Sequence, residues 1–186
     1  MKTINIVWLK RDLRLSDHAP LYNAQKTGHP LLLLYIVEPM LLNDEHYDRR
    51  HWRFIWQSIK DLNTCLLNQG AVAGIQVMHG DAVGLFEHLA TRFSISQLFS
   101  HQEIGLKITY QRDRAIKAWC HRHRIDWLEY PTGAVQRGLK NRTQWDKSWS
   151  KTMRAPIENV ELNQLNLVAL PTHCCWQPPH YWQSNS

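Results

Sequence analysis

The segment Leu31 to Val37 is an unbroken apolar run, LLLLYIV, held between Pro30 and Pro39. A strand with one wet face alternates apolar and polar residues, so an unbroken run suits a strand covered on both faces, as in a parallel sheet. It is far short of the ~20 apolar residues that a membrane-spanning helix requires, so no membrane association is expected. The segments around it alternate in period. Ile4 to Leu9 reads as a buried strand, and Ser16 or Asp17 can cap a helix reaching Gly28, with Pro20 in its first turn. Trp52, Ile55, Trp56, Ile59, Leu62 and Leu66 recur at helical spacing until Gly70. Strand patterns follow at Ile75 to Met78, Ile95 to Phe99 and Ile125 to Tyr130, separated by helical patterns at Asp81 to Phe93 and Thr109 to Arg124.

That order predicts an α/β fold: a five-stranded parallel, Rossmann-like sheet with helices on both faces. At 186 residues the chain suits one domain and can bury a core without disulfides or metals. After Pro131 the alternation stops. Thr143 and Asp146 form a helix start signal for a helix to about Arg154. Trp145, Trp149 and Met153 line one of its sides, and Lys147, Lys151 and Arg154 another. From Ala155 to Ser186 only Glu158 and Glu161 are charged and four prolines recur, which reads as a linker-like, loose tail. The organisation expected is therefore a domain over 1–154 and a tail over 155–186.

The net charge of +6 is unevenly placed. Residues 1–14 carry +3, residues 107–124 carry +5 and residues 137–154 carry +5, leaving −7 for the remainder. Such clustering admits a polyanionic partner, although solvated basic helix faces are the commoner cause. The four cysteines show no CxxC spacing, and the adjacent Cys174 and Cys175 do not bridge readily. Free thiols, with no secretory segment at the start, point to a cytoplasmic location.

Ligands of an open α/β sheet sit beyond the carboxyl ends of its strands, where strand order reverses. Phosphate-cradling glycine motifs are absent: no GxGxxG follows the first strand and no GxxxxGK[ST] occurs. A nicotinamide dehydrogenase and a P-loop NTPase are thereby disfavoured. A stress-protein type of nucleotide binder is disfavoured too, because Ala118 to Arg124 has no glycine. The most specific loop is Trp8 to Asp17, where Lys10, Arg11 and Arg14 crowd Asp12 and Asp17 at the end of the first strand. Arg11 and Arg14 can pair with those acids or face an anionic group. No catalytic triad and no metal site is read from spacing. His121 and His123 do not share a helix face, and His173, Cys174 and Cys175 lack a second pair of ligands nearby.

The segment Ile6-Val-Trp-Leu-Lys-Arg-Asp-Leu-Arg-Leu-Ser-Asp-His-Ala-Pro-Leu21 resembles the opening of the photolyase/cryptochrome flavoproteins, W-[FL]-[RK]-R-D-L-R-L-x-D-x-x-x-L. The likeness runs on through Ile36-Val-Glu-Pro39, Arg50, Leu62-Asn63, Gly80-Asp81, Arg112-Asp113 and the Gly133 to Met153 segment. It spans residues 3–154. It implies the flavodoxin-like N-terminal α/β domain of that family, which holds a light-harvesting antenna chromophore. A separate helical domain would then bind FAD and meet damaged DNA. Ser186 precedes any such domain, so no FAD ligand and no electron-relaying tryptophan is carried over, and light-driven repair is not expected of these residues alone. Trp52, Trp56 and Trp119 are read as core.

By position, the resemblance places a deazaflavin, flavin or lumazine antenna among Trp8, Lys10, Arg11, Glu38, His101 and Glu103. A folate antenna is less favoured, because the family's Asn-Glu pair falls here near Ile108 and Thr109. Plainer readings pair Glu38 with Arg50 or Arg53 and leave His101 as a loop histidine. Lys147, Lys151 and Arg154 are the candidate nucleic-acid contacts. A basic DNA-binding module and a truncated photolyase remnant without function of its own stand as the alternatives.

Overall fold

The computed structural model describes residues 1–135, 137–138 and 141–183, so Lys140 and the last three residues of the tail lie outside the described residues. Five parallel strands form one sheet: β1 (Lys2–Leu9), β2 (Leu31–Val37), β3 (Gln76–His79), β4 (Phe93–His101) and β5 (Asp126–Tyr130). Their order is β3-β2-β1-β4-β5, the Rossmann order, whose layering flavodoxins share. Strand order therefore reverses between β1 and β4. The apolar run forms β2, and every one of its residues is buried.

The alternate faces of β1 and β2 feed two cores. Val7, Leu9, Leu33 and Tyr35 pack against α1 (Ala19–Lys26) and α3 (Arg49–Asn68), while Ile6, Trp8, Leu32 and Leu34 pack against α4 (Ala82–Ala90) and α5 (Lys107–His123). A short helix, α2 (Pro39–Leu42), follows β2 directly, with Pro39 at its first position.

Three local expectations are corrected. Helix α1 is capped by His18, whose Nδ1 accepts from the Leu21 amide at 3.1 Å. Asp17 takes a left-handed φ of 50°, which delays the helix past Ser16 and Asp17. Thr143 caps nothing: α6 (Trp145–Met153) begins after Gln144 with no side-chain cap, and none of its residues is buried. The tail is not loose. Leu165, Leu167, Val168, Leu170 and Trp182 are buried. Leu31 donates its amide to Asn166 and receives one from Val168, while Trp176 donates its amide to Val77. Trp182, on the final helix α7 (His180–Gln183), stacks on Trp52 with centroids 5.2 Å apart. Leucines and tryptophans without a period find partners that local sequence cannot display.

Candidate functional site

The strand ends carry a buried ionic network. Lys10 follows β1, Glu38 follows β2 and Glu103 follows β4, and all three converge on Arg112 and Asp113 of α5. Arg112 donates from Nη1 to Glu38, from Nη2 to Glu103 at 2.7 Å, and from Nη2 and Nε to Asp113 at 2.8 and 3.0 Å. Lys10 Nζ reaches Asp113 at 3.2 Å. Both cations also lie over the Trp8 ring, at 4.7 and 4.8 Å from its centroid. The plainer pairing of Glu38 with Arg50 or Arg53 is thus corrected: Arg112 takes Glu38, and Arg50 pairs with Asp48.

Three carboxylates face two cations here, and burial makes the surplus costly. Burial pushes the Glu38 carboxyl up to about 7, beyond what Arg112 and its hydrogen bond offset. Burial likewise lowers Lys10, against the pull of Asp113. For Arg112, the carboxylates of Glu38, Asp113 and Glu103 outweigh burial and hold its pKa above the usual range. One acceptor is left over. Glu103 is 3% exposed, and its Oε1 accepts no hydrogen bond among the described residues. The nearest cation is Arg11, whose Nε stands 3.5 Å away and whose side chain is 51% exposed. Gly105 leaves this corner open, since a Cβ there would lie 2.7 Å from Arg11 Nη2 and 2.9 Å from Glu103 Oε1.

Beside the corner lies a cavity of about 510 Å³, within the range of small-molecule sites. Lys10, Arg11, Tyr35, Tyr47, Phe54 and Gly105 are among its walls. A second cavity of about 150 Å³ opens between the ends of β1 and β4, lined by Arg11, Arg14, His101, Gln102 and Thr132 among others. Its floor is a second buried cluster. Asp12 Oδ2 accepts from His18 Nε2 at 2.9 Å and from His101 Nδ1 at 2.5 Å, while Oδ1 accepts the Lys10 amide at 2.7 Å. Burial alone would raise Asp12, but the hydrogen bonds from His101 and His18 hold it far below the usual carboxylate range. Burial also lowers His18, against the pull of Asp12.

Asp12, His18 and His101 stand close enough to suggest a metal, with one ligand atom each within 4.8 Å of the others. Their chemistry argues otherwise. His18 Nδ1 accepts the Leu21 amide, so the proton of this neutral ring sits on Nε2 and its second lone pair is spent. A metal-bound histidine keeps its other nitrogen as a donor instead.

The six residues singled out from sequence divide three ways. Trp8, Lys10, Glu38 and Glu103 join the Arg112 network, Arg11 stands at the rim of both cavities, and His101 is a buried partner of Asp12 rather than a loop histidine. The expected pairing of Arg11 and Arg14 with Asp12 and Asp17 is also corrected. Arg11 approaches Glu103, and Arg14 donates from Nε to the Asp17 carbonyl at 3.0 Å. Arg112, His18, Tyr35, Tyr47 and Gly105 were assigned no role from sequence. Arg112 had a readable signal, because it shares the inward stripe of α5 with Thr109, Ile116 and Trp119. Lys147, Lys151 and Arg154 are all exposed. Among the described residues they form no ion pair of 4.0 Å or less.

A doubly wound sheet with a charged site over its central strand ends defines an α/β domain of the Rossmann-like class. Within that class, the DNA photolyase family model matches residues 5–161, and the chain belongs to the DNA photolyase family. Over 160 residues it is 24% identical to a chloroplastic/mitochondrial cryptochrome DASH of Solanum lycopersicum, covering 82% of this chain and 26% of that protein. The crystal structure of a Synechocystis sp. PCC6803 cryptochrome superposes with a TM-score of 0.77 at 20% identity, over 97% of this chain and 40% of that one. An archaeal photolyase from Sulfolobus tokodaii, solved with two FAD molecules, superposes with a TM-score of 0.66 at 18% identity, over 82% and 35%. The chain thus spans between about a quarter and two fifths of the length of these three proteins. No helix among the described residues is long and apolar enough to cross a membrane.

Proposed function

We propose that this domain holds a light-harvesting antenna chromophore of the flavin, deazaflavin or lumazine class. It would serve blue-light-driven DNA repair or photosensing together with an FAD-binding helical domain. The observation that carries the reading is the cavity of about 510 Å³ with Tyr35, Tyr47 and Arg11 in its wall. The fit is chemical. Tyr35 and Tyr47 offer apolar surface to a planar ring and Arg11 offers a donor to a ring carbonyl, while Glu103 lines the adjoining smaller cavity behind Gly105. Gly105 leaves Arg11 and Glu103 side by side. When bound, such a chromophore supplies absorption of near-ultraviolet and blue light. The S. tokodaii photolyase is described with two FAD molecules and the implication of a novel light-harvesting cofactor, which supports a flavin-type ligand on this fold. Purified protein is incubated with riboflavin, a deazaflavin and a lumazine, and bound absorbance, fluorescence quenching and thermal shift are measured. At least one compound is expected to bind and stabilise; no response to any of them overturns the reading.

A second reading rests on α6. Lys147, Lys151 and Arg154 are exposed there, opposite the Trp145 and Trp149 stripe, and form a charge patch suited to phosphates. DNA binding through three such contacts weakens steeply with salt, and a flat salt response excludes it. The cytoplasmic assignment stays part of this proposal, tested by fractionation of the producing cell.

A further inference from the structure

We infer that the cavity of about 650 Å³ where β3, α4 and the tail meet is a site for one soft monovalent metal ion, Cu(I), held by the thiolates of Cys174 and Cys175. None of its lining residues belongs to the two cavities beside Arg11. The site is therefore independent of the chromophore reading.

The donor set comes first. In sequence, His173, Cys174 and Cys175 lack further ligands nearby, and the fold supplies them. Strand β3 brings Met78 and His79 into the same wall, and α4 with its closing turn brings His88 and Arg92. Among the described residues no carboxylate lines this cavity, so the hard oxygen donors that hold calcium, magnesium or manganese are missing. Thiolates and a thioether are instead the donors that select Cu(I).

The thiol pair is also held ready. The Leu170 amide donates to Gln76 Oε1 at 3.0 Å and the Trp176 amide to the Val77 carbonyl at 2.8 Å, which pins the tail to β3 on both sides of the pair. Between these anchors the Cys174 amide donates to the Pro171 carbonyl at 2.8 Å and the Cys175 amide to the Thr172 carbonyl at 3.1 Å. Both cysteines thus sit on one tight turn. Their side chains are half-buried and pack on the same core as Met78 and Leu170. Cys175 Sγ donates to Gln76 Oε1 at 3.4 Å, while Cys174 Sγ makes no hydrogen bond among the described residues. Burial pushes the Cys175 thiol up, and the neighbouring Cys174 adds to that, so Cys175 yields its proton to an entering metal ion rather than to water.

Charge and geometry both suit a monovalent ion. Two thiol protons leave as one Cu(I) ion enters, and the two Cu–S bonds leave one surplus negative charge. Arg92, in the same wall, offsets it. Its Nε donates to His88 Nε2 at 3.2 Å, which spends that nitrogen and makes His88 a support of Arg92 rather than a ligand. His79 is steadied by stacking on Trp176, with centroids 5.5 Å apart. Among the described residues, three histidine, cysteine or carboxylate ligand atoms come within 4.8 Å of one another only at Asp12, so the four-ligand cage of a zinc site is not assembled here. A soft ion held by two thiolates needs no such cage.

The intact chain, purified under reductant, is titrated anaerobically with Cu(I), supplied as its acetonitrile complex, against bathocuproine disulfonate. One equivalent is expected to be withheld from the competitor. Cys174→Ser and Cys175→Ser, checked for folding by circular dichroism, should each weaken binding at least about hundredfold, more than residues that only support a ligand carry. Cys65→Ser, at an exposed position on α3, should bind as the wild type does. Bound Cu(I) should also shield Cys174 and Cys175, and not Cys65, from iodoacetamide, read by peptide mass spectrometry. No copper withheld, copper retained by the Cys174→Ser, Cys175→Ser double variant, or equal labelling with and without copper overturns the site. Displacement of bound Cu(I) by an equal amount of Zn²⁺ overturns the choice of a soft monovalent ion.

Discussion

Helix α5 and helix α6 come from two segments of equal net charge, and the fold treats them in opposite ways. Residues of α5 enter the protein: Arg112 and Asp113 are buried in the strand-end network, and Trp119 is wholly buried with its indole N–H on Glu87. Nothing on α6 is buried, and Trp145 and Trp149 remain 39% and 43% exposed. A count of charges or tryptophans does not separate the two. What separates them is whether a sheet face lies opposite. Helix α5 returns the chain from β4 to β5 and must pack on the sheet, whereas α6 follows the last strand and has no crossover to complete.

Substitutions that should cost much on α5 and little on α6 put this difference to the test. Arg112→Ala leaves Glu38, Glu103 and Asp113 buried without their main cation, and a loss of about 3–5 kcal/mol in urea unfolding is expected. A loss below about 1 kcal/mol would mean that the network is dispensable for folding. Trp119→Ala empties a core site and orphans no cation, so a loss of about 3–5 kcal/mol is again expected, at the lower end if the cavity collapses.

The third prediction concerns pH. The folded pKa of Glu38 is raised from 4.5 to about 7, so the folded state holds this proton where the unfolded chain has lost it. Its contribution therefore falls as pH rises from 4.5 toward 7. Glu38→Gln removes that fall, and the stability difference between variant and wild type should shift in favour of the variant across this window. A difference constant with pH would mean that Glu38 titrates normally. The smallest effect is expected on α6. Trp149→Ala, and joint replacement of Lys147, Lys151 and Arg154 by Ala, should each change stability by no more than about 0.5 kcal/mol. The triple variant should nonetheless reduce any salt-dependent DNA binding, read by fluorescence anisotropy.

Much of the sheet was legible. The Leu31 to Val37 run became β2 with the same boundaries, and the five strands and their crossover helices follow from hydrophobic period. The tail was not legible, because Leu165, Leu167 and Trp182 answer to partners more than a hundred residues away and show no period of their own. The site was legible in outline. The loop from Trp8 to Asp17 stands out by charge density, yet charge density does not say which ions pair. Arg11 and Arg14 were set against Asp12 and Asp17 by proximity in sequence, while Asp12 turned to two histidines and Arg112 gathered the strand-end acids.

Sequence by itself determined the architecture and the family, because a two-faced strand, a helical period and the Arg-Asp-Leu-Arg turn are local properties carried by neighbouring residues. Only the tertiary structure decided the site. Residues 10, 38, 103 and 112 lie on four segments, and their pairing depends on strand order, which places β1 between β2 and β4. Among the described residues that order leaves Glu103 with one unpartnered oxygen and Arg14 with no carboxylate, since burial selects partners by distance in space. Local composition is blind to that distance.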